Sequence, residues 1–430
     1  MSLQLNELLY HKYRTVFHPL KTGKAYGYSR IWLFARDYYT LSKNTSSSES
    51  TIEGLYRSLS NLLKCDSSQK HDKLLRSICL CSYYGQTAEA FEKNYATLLN
   101  VLNGEDVSDI AGLSIEYLIY ILLTQGLFHA ALMLREKYEA LVLAHGTDAE
   151  KVNVYFQNGN FEAALSLIRK SNYFRFIHCF TPRTYKTYIQ TMEAVIDSEK
   201  AEKKSRFSQY IKGKPVYIIG PSDNQCPVKL PDDCIVIRYA YMGKARLSGC
   251  YSANQTNISY YNGMHATTVA AMDDTSFLDE LQFAVLKYKI KSPFWRKRLD
   301  PSHLRIAPVA LSTMQHGVSP NMLQIVLTDL MQFGKIDLTV LNNNLYLNRI
   351  YQSGYASVEV QKKQSAYEFA AQFAKHDVFC NFKLTKALFE RGFFNTDARL
   401  GEILSMTNEE FADAMQKEYG HQNALFREAT

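Results

Sequence analysis

The chain has no long apolar run. None of its stretches reaches the roughly 18 uncharged apolar residues of a membrane-spanning helix, and the most apolar segment, Tyr117–Leu123, is far shorter. The first residues, MSLQLNELLYHKYR, lack the apolar centre of a signal peptide. We therefore expect a cytoplasmic protein, which could also act at the inner face of the cytoplasmic membrane.

Paired cysteines are also missing. No two cysteines have C-x-x-C spacing, and all of them are scattered through segments of core-like composition: Cys65, Cys79, Cys81, Cys179, Cys226, Cys234, Cys250 and Cys380. This pattern predicts free thiols in a reducing compartment rather than a disulfide framework.

The chain has little excess of one charge sign over the other. The 430 residues carry a formal net charge of only +7, without a basic tail or a long Lys/Arg run. Such a small excess fits an anionic ligand or an anionic membrane surface, and does not by itself indicate nucleic-acid binding.

Several catalytic signatures are absent. The chain has no G-x-G-x-x-G fingerprint, Walker A loop, G-x-S-x-G elbow or zinc-type His/Cys spacing. These absences disfavour dinucleotide binding, ATP hydrolysis, α/β-hydrolase chemistry and zinc hydrolysis. A UDP-sugar transferase is disfavoured too, because Asp232-Asp233 lies at a strand start and no convincing D-x-D metal motif occurs.

Aromatic residues are abundant, with 30 Tyr and 23 Phe beside only 20 Gly. In residues 1–50 they alternate with basic residues, which suits either contact with a lipid–water interface or an extension packed on the next domain. Asn44–Thr51 is predicted to be a polar linker or an interhelical loop.

Residues 51–204 have a helical pattern in which a short phrase recurs. It begins at Gly85, Gly126 and Gly159, where Gly would end one helix and small Ala residues would let the next pack closely. The phrase resembles degenerate tetratricopeptide-type hairpins. Such a region would bind partners, or be a helical domain packed on a catalytic one.

Residues 205–430 alternate between apolar runs and helical patterns, which predicts an α/β domain with a doubly wound, mostly parallel sheet. The predicted strands are Val216–Ile219, Ile235–Arg238, Ile258–Tyr261, Leu304–Pro308 and Leu338–Leu341. The predicted helices are Ser276–Tyr288, Pro320–Phe333, Ala366–Ala374, Leu384–Arg391 and Asn408–Tyr419.

Three blocks of this domain could carry chemistry. Gly220-Pro221-Ser222-Asp223 follows a buried strand, where Gly permits close backbone approach and the polar residues suit a phosphate or ribose. Gly317, Ser319 and Pro320 open a predicted helix, with Ser319 as N-cap, and a helix N-terminus attracts anions. The next strand leads into Asn342–Tyr346. His376 precedes another helix and could be a general base.

In order and spacing these blocks resemble bacterial CMP-sugar-dependent sialyltransferases and the related β-Kdo transferases. The resemblance covers roughly residues 214–390, and the matching positions are Gly220-Pro221-Ser222, Leu230-Pro231-Asp232-Asp233, Arg238, Gly317, Ser319, Asn344, Tyr346, His376, Lys386 and Leu388. It implies a modified glycosyltransferase fold that binds CMP through these loops and requires no metal or cofactor.

The resemblance also implies roles for individual residues. The Gly-Pro-Ser loop and the helix after Ser319 would hold the ribose and phosphate, Tyr346 would bind the phosphate, and Asn262 would contact the donor. His376 would be a general base or would support the leaving phosphate.

The chain departs from the sialyltransferases at Ile219 and Ala240, where they carry Asn, and at Asp223, where they carry no acid. Asp223 is a candidate nucleophile, as in retaining β-Kdo transferases, or a ribose ligand. The expected function is transfer of sialic acid or Kdo from CMP to a bacterial surface polysaccharide, O-antigen or capsule. The alternative is a non-catalytic helical-repeat interaction protein with a degenerate nucleotide-binding fold.

Overall fold

The computed structural model describes residue 34 and residues 37–43, 48–63, 70–110, 112–170, 182–222, 228–287, 293–307, 320–347 and 376–421. In these ranges the chain forms an α-helical first half followed by an α/β second half, as predicted. No helix within them is both long enough and apolar enough to cross a bilayer.

The first half consists of consecutive helices: α1 Ser48–Leu63, α2 Asp72–Ser82, α3 Ala88–Gly104, α4 Gly112–Thr124, α5 Phe128–His145, α6 Asp148–Gln157, α7 Phe161–Lys170, α8 Pro182–Ile196 and α9 Arg206–Ile211. Thr147 caps α6 in a reciprocal capping box with Glu150. Gly126 and Gly159 follow α4 and α6 with φ of +69° and +74°, the left-handed conformation that ends a helix. The predicted helix-ending role of these two glycines is confirmed.

The predicted linker Asn44–Thr51 is wrong over its second half, because α1 begins at Ser48. Glu49 lies in the first turn of α1, where a negative side chain stabilises the helix dipole. A Ser-rich composition therefore concealed a helix start.

The second half contains one seven-stranded sheet in the order β5-β4-β3-β2-β1-β6-β7, with every pair parallel. The strands are β1 Val216–Ile219, β2 Ile235–Tyr239, β3 Ile258–Tyr261, β4 Phe283–Leu286, β5 Leu304–Ile306, β6 Leu338–Leu341 and β7 Asn395–Thr396. The predicted parallel sheet is confirmed, and β1, β3 and β6 match their predictions residue for residue.

The helices of this half are α10 Gly263–Ala270, α11 Phe294–Arg298, α12 Met322–Met331, α13 Val378–Glu390, α14 Ala398–Ser405 and α15 Asn408–Tyr419. Of the predicted helices, Asn408–Tyr419 is confirmed at both ends. Leu384–Arg391 begins earlier, at Val378, and Ala366–Ala374 lies outside the described residues.

Two helix predictions are wrong in an instructive way. The segment predicted as helix Ser276–Tyr288 is a short 3-10 turn, Ser276–Glu280, followed by strand β4, which is buried on both faces. The helix predicted from Pro320 begins at Met322 and is capped by Asn321, whose Oδ1 accepts from the Gln324 amide at 3.2 Å; Ser319 is not its N-cap.

One large apolar core joins the two halves. It contains residues of α4 and α5, the strand residues Ile218, Ile237 and Val340, and residues of α12, α13 and α15. A smaller cluster on the opposite face of the central strands contains Ile219, Val236 and Leu341. The sheet is therefore covered on both faces, as parallel sheets require.

Candidate active site at the switch point of the sheet

The strand order reverses next to β1. From β1 the chain adds strands in one direction up to β5, and β6 then pairs with the other side of β1. In open parallel sheets, ligands bind outside the carboxyl ends of the strands at such a switch point. The loops that follow β1 and β6 are Gly220-Pro221-Ser222 and Asn342–Tyr346, two of the predicted blocks.

These two loops touch through their backbones. The Gly220 amide donates to the Leu341 carbonyl at 2.8 Å, and the Ser222 amide donates to the Asn342 carbonyl at 3.0 Å. A Cβ atom on Gly220 would lie 2.2 Å from the Asn342 carbonyl oxygen. Glycine is therefore required because the loops approach each other closely at this position.

Asn342 is the most unusual residue of the site. Its backbone amide donates to Asp397 Oδ2 at 2.7 Å, its carbonyl accepts from Ser222, and its φ is +53°. Its side chain is 0 % exposed, yet neither its amide oxygen nor its amide nitrogen has a hydrogen-bond partner in the part of the chain that the structure describes. An unsatisfied buried amide costs about 1–3 kcal/mol, so a polar ligand or a bound water that pairs with it would be strongly favoured.

The rest of the β6 loop is held in a strained conformation. Leu345 and Tyr346 have φ of +44° and +77°, and such left-handed residues other than Gly cluster at functional sites. Asn344 is buried, and its carbonyl accepts from Leu347 at 2.9 Å. Tyr346 is half-buried against the large core, and its carbonyl accepts a hydrogen bond from the hydroxyl of Tyr419.

Arg238 provides positive charge beside the switch point. It pairs in register with Ile219, the residue before Gly220, and is only 4 % exposed. Its guanidinium donates to Thr256 Oγ1 at 3.1 Å and to the Tyr251 carbonyl, and no carboxylate among the described residues pairs with it. Burial lowers the pKa of Arg238 to about 10. A buried guanidinium without a counter-ion suits a phosphate or a sugar carboxylate.

The predicted donor contact Asn262 has a structural role at the end of β3. Its Oδ1 accepts from the His265 amide at 2.8 Å and so caps α10. The His265 ring is buried, neither of its nitrogens has a hydrogen-bond partner among the residues described, and burial lowers its pKa to about 4. No sequence pattern singles out this histidine, because only its burial distinguishes it.

The N-termini of α12 and α13 meet at the same edge of the sheet. Lys287 directly follows β4 and donates to the Pro320 carbonyl at 3.3 Å, while the Asn321 amide donates to Asn381 Oδ1 at 3.2 Å. His376 directly precedes Asp377, the N-cap of α13. The fold thus brings Pro320 and His376 to the carboxyl edge that also carries the β1 and β6 loops.

Three predicted site residues, Asp223, Gly317 and Ser319, lie outside the described residues, so their binding and catalytic roles stay predictions. Asn344 and Tyr346 of the β6 loop were predicted as site residues, whereas Asn342 was not. The three consecutive asparagines were the available signal, but only the pairing of β1 with β6 shows which amide is left unsatisfied.

No protein-family model, curated protein or solved structure matches the chain.

Proposed function

We propose that this protein is a glycosyltransferase that moves an acidic keto-sugar, Kdo or sialic acid, from its CMP donor to a bacterial surface polysaccharide. One observation carries the proposal: among the described residues, none pairs with the buried side-chain amide of Asn342 at the switch point, where the Gly-Pro-Ser loop touches the β6 loop. A nucleotide with ribose, phosphate and base would supply the missing polar partners.

The charge around the loop is compatible with such a donor. Arg238 would stabilise the anionic groups that a CMP-linked keto-sugar carries, namely its phosphate and its carboxylate. Gly220, Pro221, Ser222, Pro320, Asn344 and Tyr346 would surround the nucleotide, with Gly317 and Ser319 joining them.

The reaction follows from the roles of two residues. His376 would take the proton of the acceptor hydroxyl, whose oxygen bonds to the anomeric carbon while the bond from that carbon to the CMP phosphate breaks. CMP leaves with the bonding electrons, and the neighbouring positive charge stabilises them. In a retaining reaction, Asp223 would first form a glycosyl ester, which the acceptor then displaces.

The finer architecture belongs to the same proposal. The helical region would be a tetratricopeptide-like array that helps bind the acceptor, and the basic-aromatic segment 1–50 would keep the enzyme near a lipid-linked acceptor. These are expectations from the sequence, and the division into residues 51–204 and 205–430 is one as well.

The test is to incubate the protein with CMP-Kdo and with CMP-sialic acid separately, and to measure CMP release together with CMP binding by calorimetry. We expect release from one donor, loss of release in His376→Ala, and weaker CMP binding in Asn342→Ala. The matched control is His129→Ala, a histidine on α5 that pairs with the exposed Asp413 at 2.8 Å and should retain full activity.

The proposal fails if neither donor releases CMP and CMP does not bind. That result would favour a non-catalytic interaction protein. Mass spectrometry of the protein trapped with donor distinguishes the two chemistries, because a sugar attached to Asp223 indicates retention.

A further inference from the structure

We propose that Arg135, in helix α5, is a positioning residue for His376 and acts on it through Asp377. This inference rests on the proposed function, because it assumes that His376 takes part in the reaction. It makes the helical first half a component of the active site rather than a separate module.

The first link is a buried ion pair between the two halves. Arg135 and Asp377 are both fully buried, lie 242 residues apart in the chain, and are joined by a contact from Arg135 Nη2 to Asp377 Oδ2. Within the described ranges, the Nε and Nη1 atoms of Arg135 have no hydrogen-bond partner. Asp377 makes the hydrogen-bonded contact to this buried charge, and the carboxylates of Glu116 and Glu139 lie near enough to add attraction.

The second link is the unusual backbone of Asp377. Its φ is +38°, and it is the N-cap of α13, with Oδ1 accepting from the Cys380 amide at 3.2 Å. One carboxylate oxygen thus caps the helix while the other binds Arg135. A left-handed residue other than glycine persists only where its surroundings fix it, and here two contacts do so.

The third link runs from Asp377 to His376, its neighbour in the chain. The side-chain amide of Asn381 donates to the carbonyl of His376 and, at 2.9 Å, to the carbonyl of Asp377. Both peptide carbonyls at the start of α13 are therefore held by the helix itself. Rotation of the Asp377 backbone would move His376 with it.

The same network continues into the second turn of α13. Cys380 Sγ donates to Gln157 Oε1 at 3.1 Å, and Gln157 Nε2 donates to Glu139 Oε1 at 2.7 Å. Lys383 pairs with Glu139 at 2.9 Å. Residues of α5 and α6 thus fix both the start and the next turn of α13.

Stability alone does not explain this arrangement. Apolar residues of similar volume usually stabilise a core as well as a buried ion pair does, whereas an ion pair fixes one orientation. Because Asp377 is next to His376 in the chain, an ion pair that fixes the orientation of Asp377 also fixes the position of His376.

The experiment compares wild type with the double variant Arg135→Met/Asp377→Asn. Removing both charges avoids leaving either one buried alone, while Asn still caps a helix and tolerates positive φ. We expect the double variant to fold and to bind CMP as wild type does, with unchanged KM. Its kcat should fall about 100-fold, the loss that a misplacement of about 1 Å can cause.

The chain offers a matched control at the other end of α13. Arg391 follows this helix and pairs with Glu162 of α7 at 2.7 Å, so the pair joins the same two halves far from His376. The double variant Glu162→Gln/Arg391→Met should keep the wild-type kcat and KM.

A folded Arg135→Met/Asp377→Asn variant with wild-type kcat overturns the inference. If wild type uses neither donor, the proposed function fails instead, and hydrogen exchange of the peptide beginning at His376 decides the positioning. Exchange that is faster in the double variant than in wild type, and only in this peptide, supports the positioning role of Arg135. Unchanged exchange overturns it. Should the double variant not fold, Arg135→Lys is measured in the same way, with the same two outcomes.

Discussion

Replacing Gly220 by alanine tests the close contact between the β1 and β6 loops. The added Cβ would lie 2.2 Å from the Asn342 carbonyl oxygen, 2.9 Å from its carbonyl carbon and 3.1 Å from Asn343 Cβ, whereas ordinary contacts begin at 3.4 Å. The neighbouring atoms are mainly backbone, so the loops must separate rather than a side chain rotate away.

The expected cost follows from that separation. Overpacking a tight site costs about 1–3 kcal/mol, and the Ser222–Asn342 hydrogen bond that would stretch is worth about 1 kcal/mol. Gly220→Ala should therefore lower the free energy of unfolding by about 2–4 kcal/mol. It should also weaken CMP binding, because the two loops that would hold the nucleotide no longer keep their spacing.

Urea unfolding measures the first effect and calorimetric titration with CMP the second. Gly104→Ala is the matched control, since Gly104 ends α3 and a Cβ there meets nothing within 4 Å. This variant should be as stable as wild type, or more stable by roughly 0.5–1 kcal/mol. If Gly220→Ala unfolds within about 0.5 kcal/mol of wild type and binds CMP equally well, the close loop contact is refuted.

Two further predictions concern buried ionisable groups. Because burial lowers the pKa of His265 to about 4, the unfolded chain binds more protons than the folded one between that pH and about 6.5. Stability should therefore fall by up to about 3 kcal/mol as the pH drops through this window. Urea unfolding at pH 7 and at pH 4.5 measures this fall in stability, which should be smaller in His265→Leu than in wild type. An equal fall in both proteins would contradict the lowered pKa of His265. Asp329→Ala should cost about 3 kcal/mol in the same assay, since it strands the Arg305 guanidinium 2.7 Å away. Asp279→Ala, which breaks the exposed pair with Arg298, should cost under about 1 kcal/mol; equal costs would show that burial is irrelevant.

Strands were predictable where an apolar run ended abruptly in Gly or polar residues, as after Ile219 and Leu341. Strand β4 was not, because its four residues continue a segment with helical spacing, and a short apolar run fits either structure. Pairing with β3 and β5 on both sides decided the outcome. Such pairing joins segments that are distant in the sequence, so a local sequence pattern does not predict it.

The candidate site also has features that local sequence predicts and features that depend on non-local contacts. The Gly-Pro-Ser loop, the asparagine-rich loop and His376 were each recognisable from local sequence, because each follows a strand or precedes a helix. The two loops meet because β6 pairs with β1. The unsatisfied side-chain amide of Asn342 is likewise a tertiary property, because it depends on which polar groups the described residues place around it.

Helix α15 extends the role of the first half to the other side of the site. The amide of Phe128, at the start of α5, donates to Gln416 Oε1 at 3.0 Å, and the Tyr419 hydroxyl donates to the Tyr346 carbonyl. Helix α5 therefore reaches the β6 loop through α15, just as it reaches the start of α13 through Arg135. One helix from before the sheet thus supports both the segment proposed to hold phosphate and the histidine proposed to move the proton. A change in the packing of α5 would alter the distance between these two segments, so the geometry of the site depends on a helix that contributes no group to it.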